Sequence, residues 1–181
     1  MIIAQQKKKE NIVEYLIYMW QVEDLIRACS FNMDEINVRL LSSYKQPEPV
    51  LQEIHQWYQE LINRMKEEKI MEKGHLQQNI NIVAELNILH DRLLRTPNET
   101  IYGSLYYKVL PAIVQLRSQA GEARSSEIET CLTAVYGYVL LKLQGKVISA
   151  ETTESITDIS HLLAYLAAKQ NEECKELKVK S

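Results

Sequence analysis

The chain has 181 residues, a formal net charge of −3, 46% hydrophobic and 25% charged residues. Those are globular proportions; they exclude a disordered chain or an acidic tail as the main reading, and the length is enough for one sizeable core. Only 5 Gly and 4 Pro interrupt it, where average usage would give about 12% for the two together, so the elements are long and helical.

The first helical pattern runs from about Ala4 to Cys29. Ile12, Leu16, Met19 and Ile26 recur at spacings of three, four and seven, a helix period. Glu23 falls in register with Leu16 and Met19, and Arg27 follows it by four residues. A short second helix starts after Asn32, which supplies a cap with Glu35 three positions on. It stops before Lys45-Gln46-Pro47-Glu48-Pro49. The third begins at Pro49, uses Leu51, Ile54, Tyr58, Leu61 and Met65, and is expected to end at Gly74. The fourth carries Ile82, Leu86, Leu89 and Leu93 and stops near Arg95. There Thr96-Pro97-Asn98-Glu99 combines a threonine cap, a first-turn proline and a glutamate for the next helix.

The fifth helix passes Tyr102, Tyr106, Val109 and Ile113, with a kink expected from Pro111 and a stop at Gly121. Ser126 with Glu129 opens the sixth, which ends at Gly145. The last starts after Ser149, passes Ile159 and Leu166, and frays from about residue 172 to 181. A strand over Tyr136–Leu143 is the nearest rival reading; its capped entry favours helix. The expectation is an all-α, single-domain antiparallel bundle of six to seven helices spanning 1–181, the fifth kinked at its proline. Gly103 and Gly137 fall at similar heights on neighbouring helices. Either they let two backbones approach closely, with Tyr102 and Tyr136 edging the seam, or they are unrelated.

Three cysteines at wide spacing fit reduced thiols, no secretory h-region follows the start, and the longest apolar stretch is too short for a bilayer. A cytoplasmic protein with no membrane contact is expected. Lys7-Lys8-Lys9 is the only basic run, on a chain of pI about 5.9, so no nucleic acid is expected as a partner.

Chemistry is scarce. Nucleotide-binding glycine loops, a Gly-x-Ser-x-Gly elbow, Cys-x-x-Cys and His-Glu-x-x-His are all missing from the sequence. A dinuclear site needs two Glu-x-x-His pairs on helices. Glu72–His75 is interrupted by Gly74 and Asp158–His161 is a substituted pair, so no metal and no cofactor are expected.

Glu23, a carboxylate on an apolar stripe, must be paired, protonated or at the rim. An ion pair with Arg27 is the plain reading; the sharper one is an interhelical pocket lined by Glu23, Arg27 and His90, with Asn87 a turn earlier. For His90 a buried, hydrogen-bonded imidazole is the plain account. Ten tyrosines against one phenylalanine include a cluster of Tyr102, Tyr106 and Tyr107 with Tyr136 and Tyr138, fit for a core edge, a subunit interface or a pocket. Trp20, Trp57, Tyr58, Cys29 and Cys131 are expected in the core.

The opening Ile2-Ile3-Ala4-Gln5-Gln6-Lys7-Lys8-Lys9-Glu10-Asn11-Ile12, running into Tyr15-Leu16-Ile17-Tyr18-Met19-Trp20-Gln21-Val22-Glu23-Asp24-Leu25-Ile26-Arg27, resembles an uncharacterised family. It is a group of Bacteroidetes-type bacterial proteins of about this length that carry a domain of unknown function. The resemblance implies a compact intracellular helical domain and assigns no activity, cofactor, partner or site residue. The reading from the residues is a non-enzymatic interaction protein that forms a homodimer or docks a partner helix. The alternative is a small-ligand binder or enzyme using the interhelical pocket, its small-molecule ligand unidentified.

Overall fold

In the computed structural model, which describes residues 2–43, 46–119 and 125–180, Asn11 interrupts what the sequence pattern presents as one long first helix. Its backbone is extended (φ −153°, ψ 106°), and its side chain accepts from the amides of Val13 and Glu14. Those are two of the donors that a new helix start leaves open. Helix α1 (Ile2–Glu10) therefore ends and α2 (Ile12–Ala28) begins, and the two pack against each other.

The rest of the chain forms α3 (Met33–Arg39), a 3-10 turn at Leu41–Ser43, α4 (Glu48–Glu67), α5 (Gln77–Arg95), α6 (Thr100–Gln119), α7 (Glu127–Leu143) and α8 (Ala150–Lys180). Among the described residues this is an all-α antiparallel bundle of eight helices, not six to seven. The helix missed from the pattern is α1. One helix is expected through Asn11, but the backbone does not continue there.

Two other boundaries differ from expectation. α4 stops at Glu67, well before Gly74. Lys69 turns left-handed (φ +58°), and the Ile70 amide reaches back to the Met65 carbonyl at 3.0 Å. Residues 68–76 are then free to leave the helix axis, with Gly74 at φ +92°. Thr96 does not cap α6. It closes α5, its hydroxyl donating to the Arg92 carbonyl at 2.9 Å, and α6 begins at Thr100. Glu99, left out of a capping box, accepts instead from Lys169 (3.0 Å) and Tyr165 (2.8 Å) of α8. The Lys169 and Tyr165 bonds hold its carboxyl below the usual carboxylate range.

α7 starts as its sequence says. Ser126 Oγ accepts from the Glu129 amide and Glu129 from the Ser126 amide, a reciprocal capping box. Its far end is closed at Gly145 (φ +66°) by a bond from the Lys146 amide to the Leu141 carbonyl. α6 runs through Pro111 as one helix. Gly121, expected to end it, lies outside the described residues. α8 continues as helix to Lys180, with Glu173 paired to Arg92 and Asn171 donating to the Lys9 and Glu10 carbonyls.

α2 and α8 form the middle of the bundle. α8 packs against α2, α5, α6 and α7, and α2 also against α7. Leu16, Met19 and Ile26 of α2 meet a core that includes Leu86, Ile113, Leu132, Ile159 and Leu166, all buried. α2 buries a broad face, and of its residues only Glu14 and Ala28 are exposed. Trp20 and Tyr58 are buried, and Trp57 is half-buried against the core. Among the described residues no helix is long and apolar enough to cross a membrane.

The glycine seam between α6 and α7 is not formed. A Cβ built at Gly103 or at Gly137 meets nothing within 4 Å, so neither backbone needs the missing side chain. Helix-interior glycine costs about 1 kcal/mol relative to alanine. Gly103→Ala and Gly137→Ala should therefore each stabilise the protein by about 0.5–1 kcal/mol in urea titrations; a loss at either position would restore the close-packed seam.

Candidate functional site

Glu23 is fully buried on α2, and the segment that leaves α4 supplies its donors. His75 Nδ1 lies 2.6 Å from Oε2, and Oε1 accepts from the Leu76 amide at 3.2 Å and from Asn79 Nδ2 at 2.7 Å. An ionised carboxylate has only acceptors, so Nδ1 carries the proton in that pair. Leu76 is the N-cap residue of α5 and has no side-chain cap. Glu23 thus places a negative charge at the end of α5 where the helix dipole is positive.

Arg27 does not pair with Glu23. Its Nη1 binds Asp24 Oδ1 at 2.7 Å, and Nε and Nη2 reach the Ile70 carbonyl at 3.4 and 3.3 Å, with a further Nη2 bond to the Gly74 carbonyl. Outside helix and sheet, the segment's backbone groups need partners from elsewhere. Glu23 satisfies an amide of the segment and Arg27 its carbonyls, so two α2 side chains hold it through opposite polarities.

Trp20, one turn before Asp24, stacks on the His75 ring (centroids 4.2 Å apart, planes at 14°) and meets Tyr136 of α7 edge-on at 5.7 Å. Tyr136 donates to Asp24 Oδ2 at 2.5 Å. Burial first, then this bond to a carboxylate, push the phenol above its ordinary pKa.

Beside Trp20 and His75 opens a cavity of about 370 Å³ between α2, α5 and the start of α7, a size ordinary for small-molecule sites. Ile80, Val83, Ala84 and Ile88 form its apolar wall; Asn79 and Asn87 of α5 and Ser126 and Glu129 of α7 supply polar groups. Trp20 Nε1 and Asn79 Oδ1 are buried and have no hydrogen-bond partner among the described residues. Asn79 cannot flip to cure this while Glu23 is ionised, because its Nδ2 is already held there. Each such orphan costs about 1–3 kcal/mol.

His90 belongs to a different group. Its Nδ1 lies 2.6 Å from Tyr102 Oη and its Nε2 3.3 Å from Glu127 Oε2, and it is 3% exposed. Tyr106 packs edge-on against the same ring at 5.2 Å. Burial raises the Tyr102 phenol, and burial with a bond to Glu127 pushes Tyr106 up to about 12. Burial and the Glu127 charge push the neighbouring Cys131 thiol up to about 12, far from a nucleophilic thiolate. Both ring nitrogens of His90 are occupied, which is the plain account of a buried histidine.

The six residues singled out by sequence therefore separate. Glu23, Arg27 and Tyr136 gather around Trp20 and the 68–76 segment; His90, Tyr102 and Tyr106 form the second cluster. None of the six lines the cavity. Its polar lining is Trp20, His75, Asn79, Asn87, Ser126 and Glu129. Asn79 was readable: it stands in phase with Leu76, Val83 and Leu86, a polar residue on an apolar stripe as Glu23 is. His75 was not, because only the early end of α4 turns it inward. Among the described residues no three His, Cys, Asp or Glu side chains are placed to hold a metal ion. Asp158 of the Asp158–His161 pair is bound instead by Lys108 at 2.7 Å.

A family model described as Domain of unknown function (DUF4924) matches residues 1–176. The chain belongs to the DUF4924 family. No curated protein and no solved structure matches it. DUF4924 is an uncharacterised, mostly helical domain.

Glu23→Ala would leave His75, the Leu76 amide and Asn79 without their acceptor. A loss of about 3–5 kcal/mol is expected in urea unfolding, against about 1–3 kcal/mol for Glu23→Gln, which keeps one acceptor oxygen. An ion pair confined to Arg27 and Glu23 would give a small and similar loss for both.

Proposed function

We propose that this DUF4924 protein binds a small molecule in the cavity beside Trp20 and His75. The observation that carries the reading is the pair of unpartnered buried atoms, Trp20 Nε1 and Asn79 Oδ1, on two residues that line one cavity. A donor and an acceptor withheld from the protein's own network are what a ligand uses for orientation, and the isoleucine and valine wall supplies contact area. Binding rather than catalysis is the reading, because among the described residues the lining offers no activated nucleophile. The Ser126 hydroxyl oxygen is engaged in the α7 cap, and Cys131 is not a lining residue.

Thermal-shift screening of small fragments, read in parallel by Trp fluorescence, tests this. Ligands that bind only the folded state raise its stability by mass action, about 2.7 kcal/mol at a hundred times Kd. Ala84 is an exposed lining residue, so Ala84→Phe should change stability by no more than about 0.5 kcal/mol while filling the cavity. Compounds that stabilise the natural chain and not Ala84→Phe are the expected result. Equal stabilisation of both, or no stabilising compound, removes the reading.

Self-association is supported by a separate observation. On α6, Tyr107 is 71% and Val114 59% exposed, one heptad apart on the same face, with half-buried Leu110 between them. A second copy packed there gives those side chains an apolar partner. Sedimentation at micromolar concentration should then show a dimer that Tyr107→Glu converts to monomer; a monomer in the unsubstituted chain dismisses it.

A further inference from the structure

The charge and hydrogen-bond inventory of the cavity narrows the ligand class. Among the described residues no lysine or arginine lines it. Arg27, the nearest guanidinium described above, is spent on Asp24 and on two backbone carbonyls. Glu129 brings a full negative charge to the lining. Behind it, Glu23 is matched by at most one positive charge, on His75. Among the described residues the balance is negative whichever way His75 is protonated.

The start of α7 is the opposing influence, since a helix N-terminus carries roughly half a positive charge and favours anions. Here that role is already filled. Glu127 and Glu129 stand in its first turn, and the Glu129 amide is capped by Ser126. Half a charge against the whole carboxylates leaves no room for a further anion.

The hydrogen-bonding groups narrow the guest further. Asn79 Oδ1 is unpartnered, and Asn87 donates its Nδ2 to the Val83 carbonyl at 2.7 Å, so that bond leaves its amide oxygen unused. On the donor side Trp20 Nε1 is buried without a partner among the described residues, and Ser126, whose oxygen accepts in the cap, keeps its own O–H to donate. A guest complementary to this set carries N–H donors and positive charge, one neutral acceptor and an apolar body. Resting on the cavity reading above, we propose that the site takes a small organic ammonium compound bearing a neutral carbonyl or hydroxyl. Its ammonium group is answered by Glu129 and the asparagine oxygens, its acceptor by Trp20, and its apolar part by Ile80, Val83 and Ile88.

Three probes with one benzyl body and different charge separate this from other guests: phenylalaninamide, at a pH that keeps its amine protonated, neutral N-acetylphenylalaninamide, and anionic N-acetylphenylalanine. Calorimetric titration should rank the cation tightest and the anion weakest. Glu129→Gln removes the charge yet retains a side chain suited to the capping box, so the melting curve should stay close to that of the natural chain. The cation's affinity should fall about tenfold or more, the size of one charge-assisted bond, with the neutral probe little changed.

Equal binding of cation and anion, or a cation indifferent to Glu129→Gln, overturns the ligand class. If none of the three binds, the class is overturned as well. The cavity reading survives that outcome where other fragments still distinguish the natural chain from Ala84→Phe, and falls with it where none does.

Discussion

A carboxylate taken entirely out of water is the constraint around which one side of this bundle is organised. Desolvating Glu23 costs several kcal/mol unless donors replace the lost hydration, and all three replacements lie between His75 and Asn79. The chain from α4 to α5 must therefore return to α2 at one height and in one orientation. The early stop of α4 makes this possible. Had it continued to Gly74, His75 would ride on a helix end carried away from Glu23. The left-handed turn at Lys69 and the φ of +92° at Gly74 are the backbone's contribution, and Arg27 holds the same segment by its carbonyls.

The cavity is a by-product of that arrangement. Asn79 gives its amide nitrogen to Glu23, and its oxygen is left buried with no donor among the described residues. Trp20 stacks its face on His75, and the indole N–H finds no partner among the described residues. A chain selected for stability alone would replace these groups by apolar ones, because unsatisfied buried polar atoms are a net cost. Their presence where a concave apolar wall meets two asparagines and a glutamate is the kind of local inconsistency that marks functional sites.

The pattern of recurring apolar residues was enough to place α2, α4, α5, α6, α7 and α8, because amphipathic helices write their buried face into the sequence at a fixed period. It failed at Asn11 for a definable reason. Of the described α1 side chains only Ala4 is buried, and the apolar stripe proper starts at Ile12; the break is written in the asparagine and in Glu14, the acidic residue of the new first turn. At Thr96 the opposite happened: the sequence offers a capping box, and α8 outbids it for Glu99 through Lys169 and Tyr165, a tertiary effect no local pattern contains. The Ser126–Glu129 box, with no such competitor, forms. Glu23 was legible as a residue needing a partner. The partner was not, since Arg27 is near in sequence and His75, Leu76 and Asn79 are 52 to 56 positions away.

The two histidine clusters show why placement in the interior does not by itself indicate a site. His90 and His75 each sit beside a glutamate and an aromatic ring. Around His90 both nitrogens are bonded, Tyr102 is held neutral, and Glu127 is shared with Arg117. That group is closed, and adding a ligand would break more bonds than it makes. Around His75 the accounts do not balance, and the space is far larger than a single water requires. A bound water needs roughly 10–15 Å³ and two to four polar partners; about 370 Å³ walled by Ile80, Val83, Ala84 and Ile88 exceeds that many times over. Water bound to Trp20 Nε1 and Asn79 Oδ1 would satisfy those atoms and still leave the apolar wall uncovered. A guest with both a polar end and a hydrocarbon body does both, which is why the proposed binding site is set beside the incompletely bonded cluster and not the fully bonded one.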